Sequence, residues 1–385
     1  MKTKVVHLIT LLELGGAQGN TLYTVTHLNA EKHQAHLWAG KGAYWDQQAI
    51  KDLGANNRVR FFPNLVRSIS PLRDILVLFQ LISALKKEKP HILHTHSSKA
   101  GILGRLAGWL AGVPILIHTF HGFGFNEQQK PWTKAFFIFL EKWIAKKTHC
   151  LIFVSEANMA LATKIKLGNP SKYQLIRSGI PIQQTREVAK NTNSRNLKTA
   201  LCLPLDNKVV VTIGAFKPQK NLDHFIEVSA RVLKSIDNVS FLIIGDGKLK
   251  KKLEDLIIQW GLEGKVHLLG WRQDIPSLLS ISNAFAMTSL WEGLPRALVE
   301  ALVLKIPAVC YDTDGIHDLL SLGGGYLIPQ GQKEEMAKQL IAILSENSSP
   351  CGISHRLENK ISSEFDIDNM VRRQESLYFE LLNQK

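Results

Sequence analysis

Two carboxylates flank a short glycine-containing turn in the stretch of this chain best suited to chemistry. Residues 285–302 read FAMTSLWEGLPRALVEAL, with Glu292 in an expected loop and Glu300 inside an expected helix. The apolar run Ala284, Phe285, Ala286 and Met287 reads as a buried strand, and it breaks at Thr288 and Ser289 into a turn carrying Trp291, Glu292 and Gly293. Pro295 suits the first helical position, and Ala297, Leu298, Ala301 and Leu302 continue at helical spacing. A helix that opens just after a tight turn presents backbone N–H groups with the positive end of its dipole behind them. Such a start attracts an anion.

The two acids are eight positions apart, about 12 Å if the whole interval were helical rise. That does not suggest the acid pair of a glycoside hydrolase, which sits roughly 5 to 9 Å apart. Each suits a separate clamp, because a carboxylate accepts two hydrogen bonds from a vicinal diol. One acid on each side of a diphosphate would fit a molecule with a sugar at either end. On this stretch alone, an ordinary surface helix with scattered acids remains an equal reading.

The remaining elements must position these groups. At 385 residues the chain exceeds what one hydrophobic core usually serves, so two domains are expected. A content of 45% hydrophobic and 21% charged residues is that of a globular protein and excludes wholesale disorder. The net charge of +14 implies an acidic partner: nucleic acid, an anionic membrane or a phosphorylated ligand. Cys150, Cys202, Cys310 and Cys351 lie far apart, which indicates neither a zinc site nor a disulfide framework. Reduced thiols in a cytoplasmic protein are the expectation. The apolar run 5–12 lacks a cleavage site and reads as a first strand rather than a signal peptide, and no segment is expected to cross a membrane.

From there the chain alternates. Gly15, Gly16 and Gly19 form a tight turn into a helix, but they do not spell G-x-G-x-x-G, and no acid follows the strand near 36–39 to hold an NAD ribose. Helix 71–89, strand 92–95, helix 100–110 and strand 115–119 imply a parallel, doubly wound sheet. Polar runs at 94–101 and 118–124 fall at strand ends, where such sheets bind ligands. His94, His96, His118 and His121 are numerous enough to raise a metal site, but no H-E-x-x-H or carboxylate cluster supports one, and none is expected. Residues 183–196 are polar with little patterning and read as a linker and hinge. The second domain restarts at 209–214, with Lys217 and Lys220 on a strand-to-helix loop placed for a diphosphate. Later strand ends carry Gly245-Asp246-Gly247, then Gly270-Trp271-Arg272-Gln273-Asp274, where Asp274 suits a helix N-cap, and then Asp312-Thr313-Asp314-Gly315.

Residues 130–147, KPWTKAFFIFLEKWIAKK, place Trp132, Phe136, Phe139 and Trp143 on one helical face beside Lys134, Lys142, Lys146 and Lys147. Two readings stand: a core-facing helix with a solvated basic side, or a helix lying on an anionic bilayer.

The run Glu292-Gly293-Leu294-Pro295 followed by Glu300 resembles the E-x7-E signature of the retaining glycosyltransferases of family 4. The resemblance covers nearly the whole chain and is strongest between Gly270 and Pro329. It implies an α/β chain of GT-B fold, with two doubly wound Rossmann-like domains facing across a cleft. The expected bounds are an acceptor-binding domain at 1–182, a linker at 183–206, a nucleotide-sugar-binding domain at 207–365, and a helix at 366–385 returning toward the first domain. The catalytic residues it implies are Glu292, His121 and Lys220. Glu292 and His121 would lie beside the transferred sugar. The donor-binding set is Gly15, Gly16, Lys217, Lys220, Trp271, Arg272, Gly293, Leu294, Pro295 and Glu300, with Glu300 meeting the ribose. The family's usual Arg is replaced by Ala215, and Lys217 is expected to supply the missing charge. The Asp312/Asp314 pair resembles the metal motif of the GT-A fold, but its position matches a family 4 loop.

The resemblance implies transfer of a hexosyl or N-acetylhexosaminyl group, with retention, from a nucleotide-diphosphate sugar to a hydroxyl of a glycan or lipid-linked sugar in cell-surface polysaccharide or glycolipid assembly. No cofactor is expected. The donor is taken as UDP-linked, although none of these residue types selects the base. An epimerase of the same fold is the alternative, separated by incubating donor alone. A basic nucleic-acid-binding protein is the third, disfavoured because no stacking platform or helix-turn-helix accompanies the charge. The expected location is the cytoplasm, with the inner face of the plasma membrane as the surface that helix 130–147 would meet.

Overall fold

Apolar strands alternating with amphipathic helices build two parallel sheets. A computed structural model describes residues 2–13, 15–42, 47–125, 129–345 and 354–384. In chain order the elements are β1 (Thr3–Leu11), α1 (Gly16–His27), β2 (His33–Gly40), α2 (Gln47–Ala55), β3 (Val59–Phe62), α3 (Pro71–Glu88), β4 (Ile92–His96), α4 (Ser98–Ala111), β5 (Ile115–Phe120), α5 (Pro131–Ala145), β6 (Cys150–Phe153), α6 (Glu156–Lys164) and β7 (Tyr173–Leu175). There follow α7 (Ile182–Asn191), α8 (Ser194–Ala200), β8 (Lys208–Ile213), α9 (Leu222–Leu233), β9 (Val239–Ile244), α10 (Lys250–Gln259), β10 (Val266–Leu268), α11 (Ile275–Ser280), β11 (Ala284–Met287) and α12 (Arg296–Val303). The chain closes with β12 (Ala308–Tyr311), α13 (Asp314–Leu320), β13 (Gly325–Ile328), α14 (Lys333–Leu344), α15 (His355–Glu364) and α16 (Ile367–Asn383).

The chain divides into two units, Met1–Gly179 with Ile367–Lys385, and Ile180–Asp366. The first holds a sheet of order β3-β2-β1-β4-β5-β6-β7 and the second a sheet of order β10-β9-β8-β11-β12-β13. Every strand pairing in both is parallel. The order reverses between β1 and β4 in the first unit and between β8 and β11 in the second. Beyond the carboxyl ends of strands, such reversals are where open parallel sheets hold ligands.

Strand alternation divides the first unit's core. Val5, Ile9, Ile92 and Ile117 pack with Tyr378 and Met370 of α16, whereas Val6, Leu8, Leu93 and Leu116 pack with Val77 and Leu81 of α3 and Ala107 of α4. The final helix is therefore part of the first unit's core.

Three expectations change. Residues 183–206 are not a bare linker: α7 packs on α11 and α12 with Ile182 and Thr185 buried, and α7 and α8 lie inside the second unit. The buried face of α7 is too narrow to show as periodicity. Pro295 is the N-cap rather than the first residue of α12.

The third concerns α5, whose aromatic stripe does not face the core. Trp132, Phe136, Phe139 and Trp143 are 70, 53, 63 and 40% exposed. The buried face carries Glu141, Ile144 and Ala145 instead. Glu141 pairs at 2.6 Å with Arg105 of α4, both almost wholly buried, and Arg105 also donates to the Gly101 carbonyl at 2.7 Å. Turning the aromatics inward would expose one charge and strand the other in a low dielectric, which costs several kcal/mol. Cys150 and Cys310 are buried free thiols and Cys202 an exposed one, while Cys351 lies outside the described residues.

Candidate active site

The second unit's strand reversal is occupied by a built constellation. The loop after β8 carries Lys220 and the loop after β11 carries Glu292, and the Lys220 ammonium donates to the Glu292 carboxylate at 2.5 Å. The side chains are 18% and 8% exposed, so the pair is shielded but reachable.

Hydrogen bonds to backbone carbonyls tie the two loops to each other. The Thr288 hydroxyl donates to the carbonyls of Lys220 and Asn221 at 3.1 and 3.0 Å. The Gln219 amide donates to the Trp291 carbonyl at 2.8 Å, and the Leu290 N–H donates to the Gln219 carbonyl at 2.9 Å. A Cβ added at Gly315 would stand 2.1 Å from the Gly293 carbonyl oxygen, so only glycine lets the start of α13 pack against the turn. Thr288, Gln219 and Gly315 carry no sequence signal as supports, because their partners are distant in the chain or are backbone atoms.

Gly293, Leu294 and Pro295 lead into α12, whose start has no side-chain cap. Glu300 lies a turn further on, partly buried, 3.7 Å from the Arg296 guanidinium. Burial pushes its carboxyl above the usual range, and Arg296 opposes that shift. Lys217 is exposed and precedes a 3-10 turn, Pro218–Lys220.

At the neighbouring strand ends the Gly245 N–H donates to the Gly270 carbonyl at 2.9 Å, which sets Trp271 and Arg272 on the rim. Trp271 is 43% exposed. Asp274 does not cap α11 with its side chain, because its carboxylate accepts two hydrogen bonds from Arg272 at 2.8 and 2.6 Å. These bonds hold the Asp274 carboxyl below its ordinary range. Asp312 accepts from the His317 ring at 2.8 Å, and the side chain of Asp314 lies outside what the structure describes.

In the first unit, Gly15 is the N-cap of α1 and Gly16 its first residue. His121 follows β5 directly, partly exposed, with Nε2 3.2 Å from His96 Nδ1. His118 points to the opposite face of the sheet, against Thr95 and Phe120. Candidate metal-binding nitrogens of His7, His94 and His96 do lie within 4.8 Å of one another, and no acid or thiol joins them among the described residues. His7 stands apart from the other histidines in the sequence because it sits on a different strand. A cavity of about 490 Å³ opens beside the first unit's strand reversal, with Thr10, Ser97, Lys99, Ile102, Phe136 and Leu140 in its walls.

Known proteins match both units. The family profile described as "Glycosyl transferase 4-like domain" matches residues 15–179, and the profile "Glycosyl transferases group 1" matches residues 193–361. The chain is 32% identical over 390 residues to the Escherichia coli UDP-Gal:alpha-D-GlcNAc-diphosphoundecaprenol alpha-1,3-galactosyltransferase, covering 100% of this chain and 98% of that protein. It is 24% identical over 322 residues to the capsular polysaccharide biosynthesis glycosyltransferase CapM of Staphylococcus aureus, covering 80% of this chain and 83% of that protein. In fold it is similar to Anabaena Alr3699/HepE solved with UDP and glucose, with a TM-score of 0.81 at 19% identity over 98% of this chain and 100% of that one. WaaG, a glycosyltransferase of lipopolysaccharide biosynthesis, gives a TM-score of 0.76 at 16% identity over 97% and 99%. With two parallel-sheet units and matched profiles over both, this chain belongs to the family 4 glycosyltransferases of GT-B fold.

Proposed function

We propose that the enzyme transfers a hexosyl or N-acetylhexosaminyl group, with retention, from a UDP-sugar to a lipid-linked glycan at an anionic membrane surface. The observation that carries the donor half is the Lys220–Glu292 pair at the second unit's strand reversal. Glu292 takes one of the three ammonium protons, leaving two for diphosphate oxygens. Lys217 and the start of α12 add positive potential where charge develops on the leaving group. Glu292 holds hydroxyls of the transferred sugar and Glu300 those of the ribose, and the family resemblance assigns His121 to the transferred sugar.

The bond from the anomeric carbon to the β-phosphate oxygen breaks with its electron pair going to phosphate. The acceptor oxygen bonds to that carbon on the same face, and its proton passes to the leaving phosphate oxygen. The chain's own groups bind, orient and neutralise.

UDP is favoured by the relatives: the galactosyltransferase is named for UDP-Gal, and HepE was solved with UDP. A thermal-shift screen tests this. A uridine nucleotide at a hundred times its dissociation constant should add roughly 2.7 kcal/mol to stability. Stabilisation by other nucleotides but not uridine ones would refute the assignment of the base.

The acceptor half rests on a surface. α3 packs on α4 and α4 on α5, and together they expose Leu72, Ile75, Leu76 and Phe79, then Trp109, then Trp132, Phe136, Phe139 and Trp143. Lys86, Lys87, Lys146 and Lys147 lie on the same helices and their ends. Apolar side chains amid lysines suit the headgroup region of an anionic bilayer. No helix among the described residues is long and apolar enough to cross one. Phe136 belongs both to this surface and to the 490 Å³ cavity, which suits the hydrocarbon of a lipid-linked acceptor.

Combining Phe79→Ser, Trp132→Ser and Phe139→Ser should lower partitioning onto anionic vesicles about a hundredfold, at roughly 1 kcal/mol per partly buried ring, and leave transfer to a water-soluble acceptor analogue unchanged. Unaltered flotation of the triple variant would remove the membrane proposal.

A further inference from the structure

His121 ends a buried relay that runs back to the C-terminal helix. Residues of one parity on β1, β4 and β5 point to the same face of the sheet. That parity places His7, His94, His96 and Thr119, and His121 just beyond β5, on the face covered by α16, with His7 beside His94 and His96 beside Thr119 in register. Tyr378 of α16, fully buried, descends onto them.

The contacts form a line. His121 Nε2 is 3.2 Å from His96 Nδ1, and His96 Nε2 is 3.1 Å from His7 Nδ1. His7 Nε2 is 3.3 Å from the Tyr378 hydroxyl, which is 2.6 Å from His94 Nδ1. His94 Nε2 is 2.7 Å from the Thr119 hydroxyl.

Burial, reinforced by neighbouring imidazoles, drives the pKa of His94 and His96 well down and that of His7 to about 3. All three are therefore neutral, with one donor and one acceptor nitrogen each. In a line of such groups, the direction of one hydrogen bond dictates the rest. The tyrosine has a single proton. When it lies in the short bond to His94 or in the 3.4 Å bond to Gln374 Oε1, His7 must donate from Nε2 to the tyrosine oxygen. His96 then donates from Nε2 to His7, and His121 donates from Nε2 to His96. His121 is left with a proton on Nε2, and when its ring is neutral Nδ1 is the acceptor.

We propose that Tyr378 is a positioning residue: through His7 and His96 it sets the tautomer and ring orientation of His121, so that the last helix of the chain controls a group assigned to the transferred sugar. This rests on the proposed role of His121 at that sugar. The relay accounts for imidazoles that would otherwise be costly polar groups in an apolar core, where each unmet hydrogen bond costs about 1–3 kcal/mol.

Tyr378→Phe keeps the ring and removes the hydroxyl. It should lower kcat for sugar transfer roughly tenfold with little change in KM for the nucleotide sugar. In a His121→Ala background it should cause no further loss, because the relay then ends on nothing. Nitrogen-15 spectra of histidine-labelled protein should show the His121 tautomer redistributed in Tyr378→Phe. If Tyr378→Phe does not fold, His96→Asn, which can keep the contact at the Nδ1 position and cuts the link to His7, should give the same loss.

An unchanged kcat, or an equal loss with and without His121, would overturn the proposal and leave the family assignment intact. Wild-type transfer by His121→Ala would instead overturn the role of His121, and the tautomer signature alone would then decide whether Tyr378 directs it.

Discussion

Replacing Glu292 by Gln is expected to lower sugar transfer by about a hundred- to a thousandfold while UDP still binds. The substitution conserves volume and keeps an oxygen for Lys220, so the contact of 2.5 Å is weakened without vacating the space. What it removes, on the proposed role, is the charge that would hold hydroxyls of the sugar as positive charge grows at its anomeric carbon. Alanine is the blunter version. It deletes the partner of an ammonium only 18% exposed, so its loss of activity would be accompanied by some loss of stability. The measurement is initial rate with labelled donor, beside the thermal shift by UDP. Glutamine turnover within threefold of the parent, with normal UDP binding, would show that the second unit's central carboxylate takes no part in the reaction.

Acidification should destabilise the first unit steeply. His7, His94, His96 and His118 are buried, and burial lowers the pKa of every one, His7 to about 3. In the unfolded chain each returns to about 6.5, so the unfolded state binds more protons below that pH. The stability they permit is fully present above pH 6.5 and is lost as pH falls toward the folded values. Between pH 7.5 and 5.5 each such histidine costs about 1.4 kcal/mol, and the set of four about 5.5 kcal/mol, a large share of an ordinary domain's stability. Urea unfolding followed by far-ultraviolet circular dichroism at the two pH values checks it. Equal midpoints would mean that the folded state accepts these protons, which is incompatible with four sequestered neutral rings.

Much of the second unit was legible in the residues. The bounds of β11 coincide with the expected strand, and those of β8, and of β4 and β5 in the first unit, fall within one residue of theirs at each end, because short apolar runs between turn signals have few other folds. The order of those runs implied a parallel sheet, and the turn at Glu292-Gly293 falls at the end of a strand that flanks the reversal. The Lys220–Glu292 contact was not legible, since the partners are 72 residues apart and meet only because β8 and β11 become neighbours at the reversal.

The first unit was harder for a different reason. Four aromatics at helical spacing in α5 suit a core or a membrane surface, and what turns them from the core is Glu141, whose partner Arg105 lies on another helix. A buried charge pair outranks an apolar stripe because stranding either ion costs more than leaving rings exposed. Likewise, His7 and Tyr378 are 371 residues apart, and strand parity together with the return of α16 makes them neighbours. The order of residues thus determined which segments become strands, where the glycine-containing turn into α12 falls, and to which family the chain belongs, all of which depend on local pattern. Only the assembled sheets decided which charges are paired and which surfaces stay bare, because those depend on energies between groups that the chain itself keeps far apart.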